Sequence, residues 1–233
     1  MEVFALNIFD HTGDLEYKTL LAQVDEAKLF KLLKFIHSED LQRSLFAELL
    51  IRKLLIERYR LNNKEIRFLV NEYGKPYCDR VDDFHFNVSH SGDWVVCAVD
   101  RVPVGIDIEK ISAIDLDISK NFFSEQEHQD LMQSDDPFEY FFTLWSLKES
   151  YIKLIGKGLS HPLNSFSMKM LSGSRIGIEV NNAMLENTHF KQYSIDRSYK
   201  MAVCSSHADM PEQATIISKN ELADHFLLLE AQY

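Results

Sequence analysis

The chain is poor in cysteine: Cys78, Cys97 and Cys204 are the only three in 233 residues, odd in number and far apart. No CxxC pair or His-Cys cluster accompanies them. A disulfide framework and a zinc site are thereby excluded, leaving free thiols in a reducing cytoplasm. Long hydrophobic runs are also missing. No apolar stretch approaches the ~18 residues of a membrane helix, so no membrane association is expected. The start, MEVFALNIFDHTGD, lacks the basic region that opens a secretory leader and reads as an edge strand. Basic residues are scarce as well: 25 Lys and Arg stand against 36 Asp and Glu, a net charge of −11. That excludes a basic stripe for nucleic acid, and any phosphate site has to be local.

What is present is ordinary globular material, 45% hydrophobic and 26% charged, long enough for one large domain or two of half the length. The patterning predicts a strand near 2–9 and helical segments near 14–36 and 38–60. Short strands follow around IRFLV, FHFNVSH and WVVCAVD, the last two forming a hairpin about Ser91-Gly92-Asp93. After RVPVGIDIEKI the design repeats, with a helix from about 124, a long helix over 138–155, and strands near 165–170, 175–180 and 190–205. SGDWVVCAV and DRSYKMAVCSS echo each other, each placing an aromatic residue after a polar turn and then a Val-Cys strand. The expected fold is α+β: two similar halves forming a pseudo-dimer, residues 1–103 and 104–233, each with a small antiparallel sheet packed on helices.

Within VGIDIEKI, Val104, Ile106 and Ile108 alternate with Gly105, Asp107 and Glu109, which puts two carboxylates on one strand face, ~7 Å apart. Taken alone, that face could be the solvent side of an antiparallel strand. The long helix PFEYFFTLWSLKESYIKLIGKG carries Trp145, Glu149 and Lys153 on one stripe, and Gly156 and Gly158 end it. Glu149 and Lys153 alone could be a surface i,i+4 pair. Together, two strand carboxylates and one helix carboxylate are the hard oxygen ligands that magnesium takes when substrate phosphates complete its shell, with a lysine nearby for a phosphate oxygen.

VGIDIE followed some 40 residues later by WSLKESYIKLIGKG resembles the two signature motifs of the 4′-phosphopantetheinyl transferases. EYGKP, FNVSHSG and the total length resemble the larger, surfactin-synthetase-activating type. The resemblance implies transfer of the phosphopantetheine arm of coenzyme A to a serine of acyl or peptidyl carrier proteins, as in fatty-acid and nonribosomal peptide synthesis, with release of adenosine 3′,5′-bisphosphate. It implies Mg²⁺, or Mn²⁺ in its place, held by Asp107, Glu109 and Glu149, with Asp107 and Lys153 in the catalytic machinery and Gly105 leaving room for the metal-bound pyrophosphate. Lys153, Lys75, Ser89 and His90 match positions that cradle phosphates, and Lys28, Lys31, Arg43 and Ser44 are the expected partners of the 3′-phosphate. Glu127 matches a glutamate proposed as general base for the carrier serine. It is also the N3 residue of a capping box that starts at Ser124, and the two roles are compatible. A monomer is expected.

Three other readings stand beside this one. A metal-dependent phosphohydrolase acting on a nucleotide pyrophosphate could use the same three acids with water. A serine hydrolase built on VSHSG lacks the glycine two residues before Ser89, where Asn87 stands, and IGKGLS lacks most of a P-loop. A non-enzymatic carrier-binding module would not need all three acids. For docking of an acidic carrier by this acidic chain, the segment ISAIDLDISKNFF offers Leu116 and Ile118 as an exposed apolar patch, with Phe122 and Phe123 divided between patch and core.

Overall fold

A computed structural model describes residues 1–8, 17–172 and 175–230. The first half runs β1 (Glu2–Asn7), α1 (Tyr17–Leu21), α2 (Glu26–Leu32), α3 (Ser38–Tyr59), β2 (Phe68–Val70), β3 (Pro76–Cys78), β4 (His85–Ser91) and β5 (Trp94–Asp100). The second runs β6 (Val104–Lys110), α4 (Ser119–Phe122), α5 (Glu125–Met132), α6 (Pro137–Ile155), β7 (Phe166–Met170), β8 (Ile176–Val180), β9 (Ala183–Met184), β10 (His189–Tyr193) and β11 (Tyr199–Ser205). The chain ends with β12 (Thr215–Ile217) and α7 (Lys219–Glu230).

Strand alternation sorts the side chains into three cores. In β1, Phe4 and Leu6 join the core against α3, while Val3 and Ala5 face the other way. In β6, Val104, Ile106 and Ile108 meet Val3, Ala5, Val96 and Ala98 in a central core between the two sheets. A third core lies under α6 and takes Ala202 and Cys204 from β11. The layers are thus α3, the sheet β12-β1-β5-β4, the sheet β10-β11-β6, and α6. The α+β architecture and the antiparallel sheets of the two halves are as expected. Smaller sheets, β2-β3 and β7-β8-β9, flank them.

Three expectations are corrected. The first strand is not an edge, because β12 pairs with it in parallel on one side and β5 antiparallel on the other. The helical stretch expected over 14–36 is two short helices over its described part, since Asp25 accepts from the Lys28 amide and starts α2 anew; residues 14–16 lie outside the described ones. The segment 190–205 is a hairpin, with Asp196 capping the turn through the Ser198 amide. From β12 and α7, Ile217, Leu222, Ala223 and Phe226 join the core against α3.

Candidate active site

The site is built on the β4–β6 seam, where the two sheets meet without a backbone ladder. Every second side chain of β4 reaches across. Asn87 Oδ1 accepts from the Ile106 amide (2.9 Å), Ser89 Oγ donates to Asp107 Oδ1 (2.9 Å), and Ser91 Oγ donates to Glu109 Oε2 (3.1 Å) while accepting from the Lys110 amide. The two-residue turn Gly92-Asp93 aims this ladder. Gly92 has φ +52°, and a Cβ there would sit 2.3 Å from the Tyr199 hydroxyl, which itself accepts from the Asp93 amide (3.0 Å).

Helix α6 closes the other side. Gly105 lies directly beneath it: a Cβ would fall 1.9 Å from the Ser150 carbonyl oxygen and 2.4 Å from the Leu154 amide. Glycine is therefore required by the helix backbone, which corrects the expectation that it leaves space for a substrate. Close approach brings Lys153 Nζ to Asp107 Oδ1 (2.6 Å) and Ser89 Oγ (2.8 Å). Asp107 is only 2% exposed, and its Oδ2 has no hydrogen-bond partner. Burial and the Asp107 charge push the Glu109 carboxyl up to about 7, and the same two causes raise Glu149. One ammonium thus pairs with Asp107 and lowers the raised carboxyls of Glu109 and Glu149 through space, with a buried oxygen of Asp107 left unanswered. No three His, Cys, Asp or Glu side chains among the described residues converge closely enough, as they stand, to enclose a metal ion.

The remaining predicted residues lie at graded distances from this cluster. Arg43 caps the rim, donating to the Gly92 carbonyl (2.8 Å) and to Asp40 (2.6 Å), with Ser44 half-buried beside it on α3. His90 reaches solvent next to them, its pKa lowered by desolvation and by the Arg43 and Lys153 cations. Lys75 is committed elsewhere: its ammonium donates to the carbonyls of Val104 (3.1 Å), Lys153 (2.5 Å) and Leu154 (3.3 Å), and burial lowers it to about 8. It ties the β2–β3 turn to the end of α6, where Asn71 also grips the Gly156 carbonyl. Lys28 turns to Glu48 of α3 (3.3 Å), and Lys31 is exposed on α2.

Glu127 lies on the far side of α6, 3% exposed. Its Oε2 accepts from the Ser124 amide (2.8 Å) and Lys148 Nζ (2.8 Å), and its Oε1 from the Met168 amide (2.7 Å). The capping box is formed in full. The carboxylate is held by α5, α6 and β7 and is turned away from solvent. Sequence reasoning passed over Asn87, Ser91 and Lys148. The first two were signalled by the polar alternation Asn-x-Ser-x-Ser within a strand, which a solvent-facing edge would also show.

An apolar cavity of about 430 Å³ opens beside Glu109, lined by Ile114, Ile118, Phe141, Phe142 and Trp145, with Asp115 at its rim. Ile118 is 40% exposed, whereas Leu116 packs against the second core and Phe123 is buried in it. A larger cavity of about 1220 Å³ lies between α2, the end of α3 and β2, and no predicted site residue lines it.

The profile of the 4′-phosphopantetheinyl transferase superfamily matches residues 103–204, and that of the 4′-phosphopantetheinyl transferase N-terminal region matches residues 12–102. The 4′-phosphopantetheinyl transferase Sfp of Bacillus subtilis strain 168 is 41% identical over 224 residues, covering 95% of this chain and 100% of that protein. The chain belongs to the 4′-phosphopantetheinyl transferase family. The 4′-phosphopantetheinyl transferase psf-1 of Bacillus pumilus is 38% identical over 229 residues, covering 94% and 95% of the two chains. A holo-(acyl-carrier-protein) synthase from Bacillus anthracis, solved with CoA (3′,5′-ADP), is 16% identical, with a TM-score of 0.35 over 44% of this chain and 93% of that one. The chain is thus an enzyme of the transferase class.

Proposed function

We propose that Asp107, Glu109 and Glu149 hold a divalent cation, Mg²⁺ or Mn²⁺, against the pyrophosphate of coenzyme A while the phosphopantetheine arm passes to a carrier-protein serine. The buried, unanswered Oδ2 of Asp107 carries this reading, and the raised carboxyls beside it support it, since hard carboxylate oxygens suit these ions. When bound, the cation neutralises charge that develops on the leaving adenosine 3′,5′-bisphosphate. Lys153, already within reach of Asp107 and Ser89, contacts a phosphate oxygen, and Ser89 keeps Asp107 oriented. Arg43 and His90, at the rim, receive a further phosphate group. Lys28 and Lys31 reach the 3′-phosphate only if Lys28 releases Glu48. Lys75 acts as a tie at the end of α6, and no covalent enzyme intermediate is required, because positioning and electrostatics supply the rate.

The carrier docks beside Glu109, on the apolar surface to which Ile118 belongs and Leu116 does not. The enzyme acts as a monomer in the cytoplasm. The test is mass spectrometry of an apo carrier protein incubated with coenzyme A, with and without Mg²⁺. A phosphopantetheine mass increase that appears only with the metal is expected. Hydrolysis of coenzyme A without carrier modification would instead identify a phosphohydrolase.

A further inference from the structure

Lys148 immediately precedes Glu149 on α6 yet points about 100° away from it, into the second core, where it is fully buried. Its three donor directions are all answered: Glu127 Oε2 (2.8 Å), the Leu163 carbonyl (3.0 Å) and the Phe166 carbonyl (2.7 Å). The ring of Phe166 lies 4.5 Å from the ammonium. Glu127 in turn accepts from the Ser124 and Met168 amides. One ion pair therefore joins the start of α5, the middle of α6, the 163–166 turn and β7.

A buried ion pair is weak evidence of stability, because apolar residues of similar volume commonly fill such a site as well or better. Its geometry gives it another use. On its opposite face α6 rests on Gly105, with the Ser150 and Leu154 backbone in close approach to the strand. That contact fixes how near the helix comes, while the buried Leu144, Leu147 and Ile152 turn one side of it toward the second core without a directional bond. The pair pins the roll at the turn that carries Glu149, and Lys153 follows one turn later on the same stripe.

We infer that the Glu127–Lys148 pair is a positioning device that sets the roll of α6, so that Glu149 and Lys153 meet Asp107 in the geometry the metal and the phosphate require. Glu127 then acts through Lys148 and takes no proton from substrate. This rests on the reading of Asp107, Glu109 and Glu149 as metal ligands. Outer residues that orient metal ligands typically cost ~10- to 100-fold in metal affinity or activity when they are changed.

The test uses full-length protein and three variants, Glu127→Gln, Lys148→Met and the double Glu127→Gln/Lys148→Met. Three quantities are read: Mn²⁺ affinity without coenzyme A by calorimetry, kcat and KM for coenzyme A with an apo carrier, and the melting temperature. Each single change is expected to weaken Mn²⁺ binding and lower kcat by ~10- to 100-fold. The double variant leaves neither charge unpaired and recovers at least part of both losses. Three outcomes would overturn the inference. In one, the melting temperature falls while metal affinity and kcat stay as in the wild type, making the pair a stability element only. In another, Glu127→Gln loses turnover with unchanged metal affinity, making Glu127 a base. In the last, the variants' losses simply add. If instead the wild type binds Mn²⁺ but modifies no carrier, the transferase reading fails while the metal titrations still decide the role of the pair.

Discussion

The two halves share one layout, with a first strand, a long helix and a hairpin, and their registers correspond residue for residue. Phe4 stands opposite Cys97 as Gly105 stands opposite Cys204, and Leu6 opposite Val95 as Asp107 opposite Ala202. On the hairpins, Ser89 opposite Val96 corresponds to Lys191 opposite Val203, and Ser91 opposite Trp94 to Tyr193 opposite Met201. At equivalent places the side chains differ in kind. The helix-facing side of β1 is Phe4 and Leu6, closed into a core, whereas that of β6 is Gly105, Asp107 and Glu109, drawn tight under α6 and charged. Asn87, Ser89 and Ser91 reach across to β6, but Tyr193, their counterpart on β10, donates to the Pro211 carbonyl instead. A repeated frame therefore supports one site and not two, because in one half the helix is held off by large apolar side chains and in the other it is let down onto a glycine. The cation and phosphates proposed above would meet only the second kind of face.

Making the second half resemble the first should have its largest effect at Asp107. Asp107→Asn keeps the shape and the Ser89 contact but removes the charge, and the transfer rate is expected to fall ~10²-fold or more, by comparison with other preorganised electrostatic groups. A carrier-modification assay checks it, and a rate within a few-fold of wild type would remove Asp107 from the metal site.

The glycine and its counterpart should respond in opposite senses. Gly105→Ala has no room beneath Ser150 and Leu154, so it is expected to cost ~1–3 kcal/mol or more by overpacking and to lower activity by displacing α6. Phe4→Ala empties a filled core and is expected to cost ~3–5 kcal/mol of stability while leaving the acid cluster in place. Denaturant melts paired with rate measurements separate the two. Equal loss of specific activity in both folded variants would contradict the division of labour.

The smallest effect is a pH slope. Glu109 keeps its proton up to about 7 in the folded protein, above its ordinary 4.5, because it is buried beside Asp107. Between those values the folded state holds more protons than the unfolded chain, so metal-free stability falls as pH rises through the window. Glu109→Gln should remove that part of the slope and raise the metal-free Tm at pH 8 by a few degrees. Thermal melts at pH 5 to 8 with chelator present measure it; an unchanged slope would show that Glu109 is ionised throughout.

The strongest elements were legible because each obeys one period. Strict alternation in residues 104–109 gave β6, helical spacing with closing glycines gave α6, and Ser124 with Glu127 gave the start of α5. The acid set could be named from the sequence because its members lie on those two elements. What was hidden depends on which element lies next to which. The contacts of Lys75 with the end of α6 and of Lys28 with Glu48 of α3 follow from no local pattern. The β12–β1 pairing joins residues more than 200 positions apart, and a strand of three residues is too short to show an alternating period.

That parallel pairing also orders the events of synthesis. The first half leaves the ribosome early, yet one flank of β1 and part of its core are supplied by Ile217, Leu222, Ala223 and Phe226, which are made after β6 to β11. Until they emerge, the nascent chain carries an unpaired strand flank above an incomplete apolar face, the combination that invites pairing with other chains. The second half, whose central sheet needs only residues 104–205, can close before that. Helix α7 is thus the latch of the first half's core, and the nascent protein passes from sticky to sealed only once that helix has emerged.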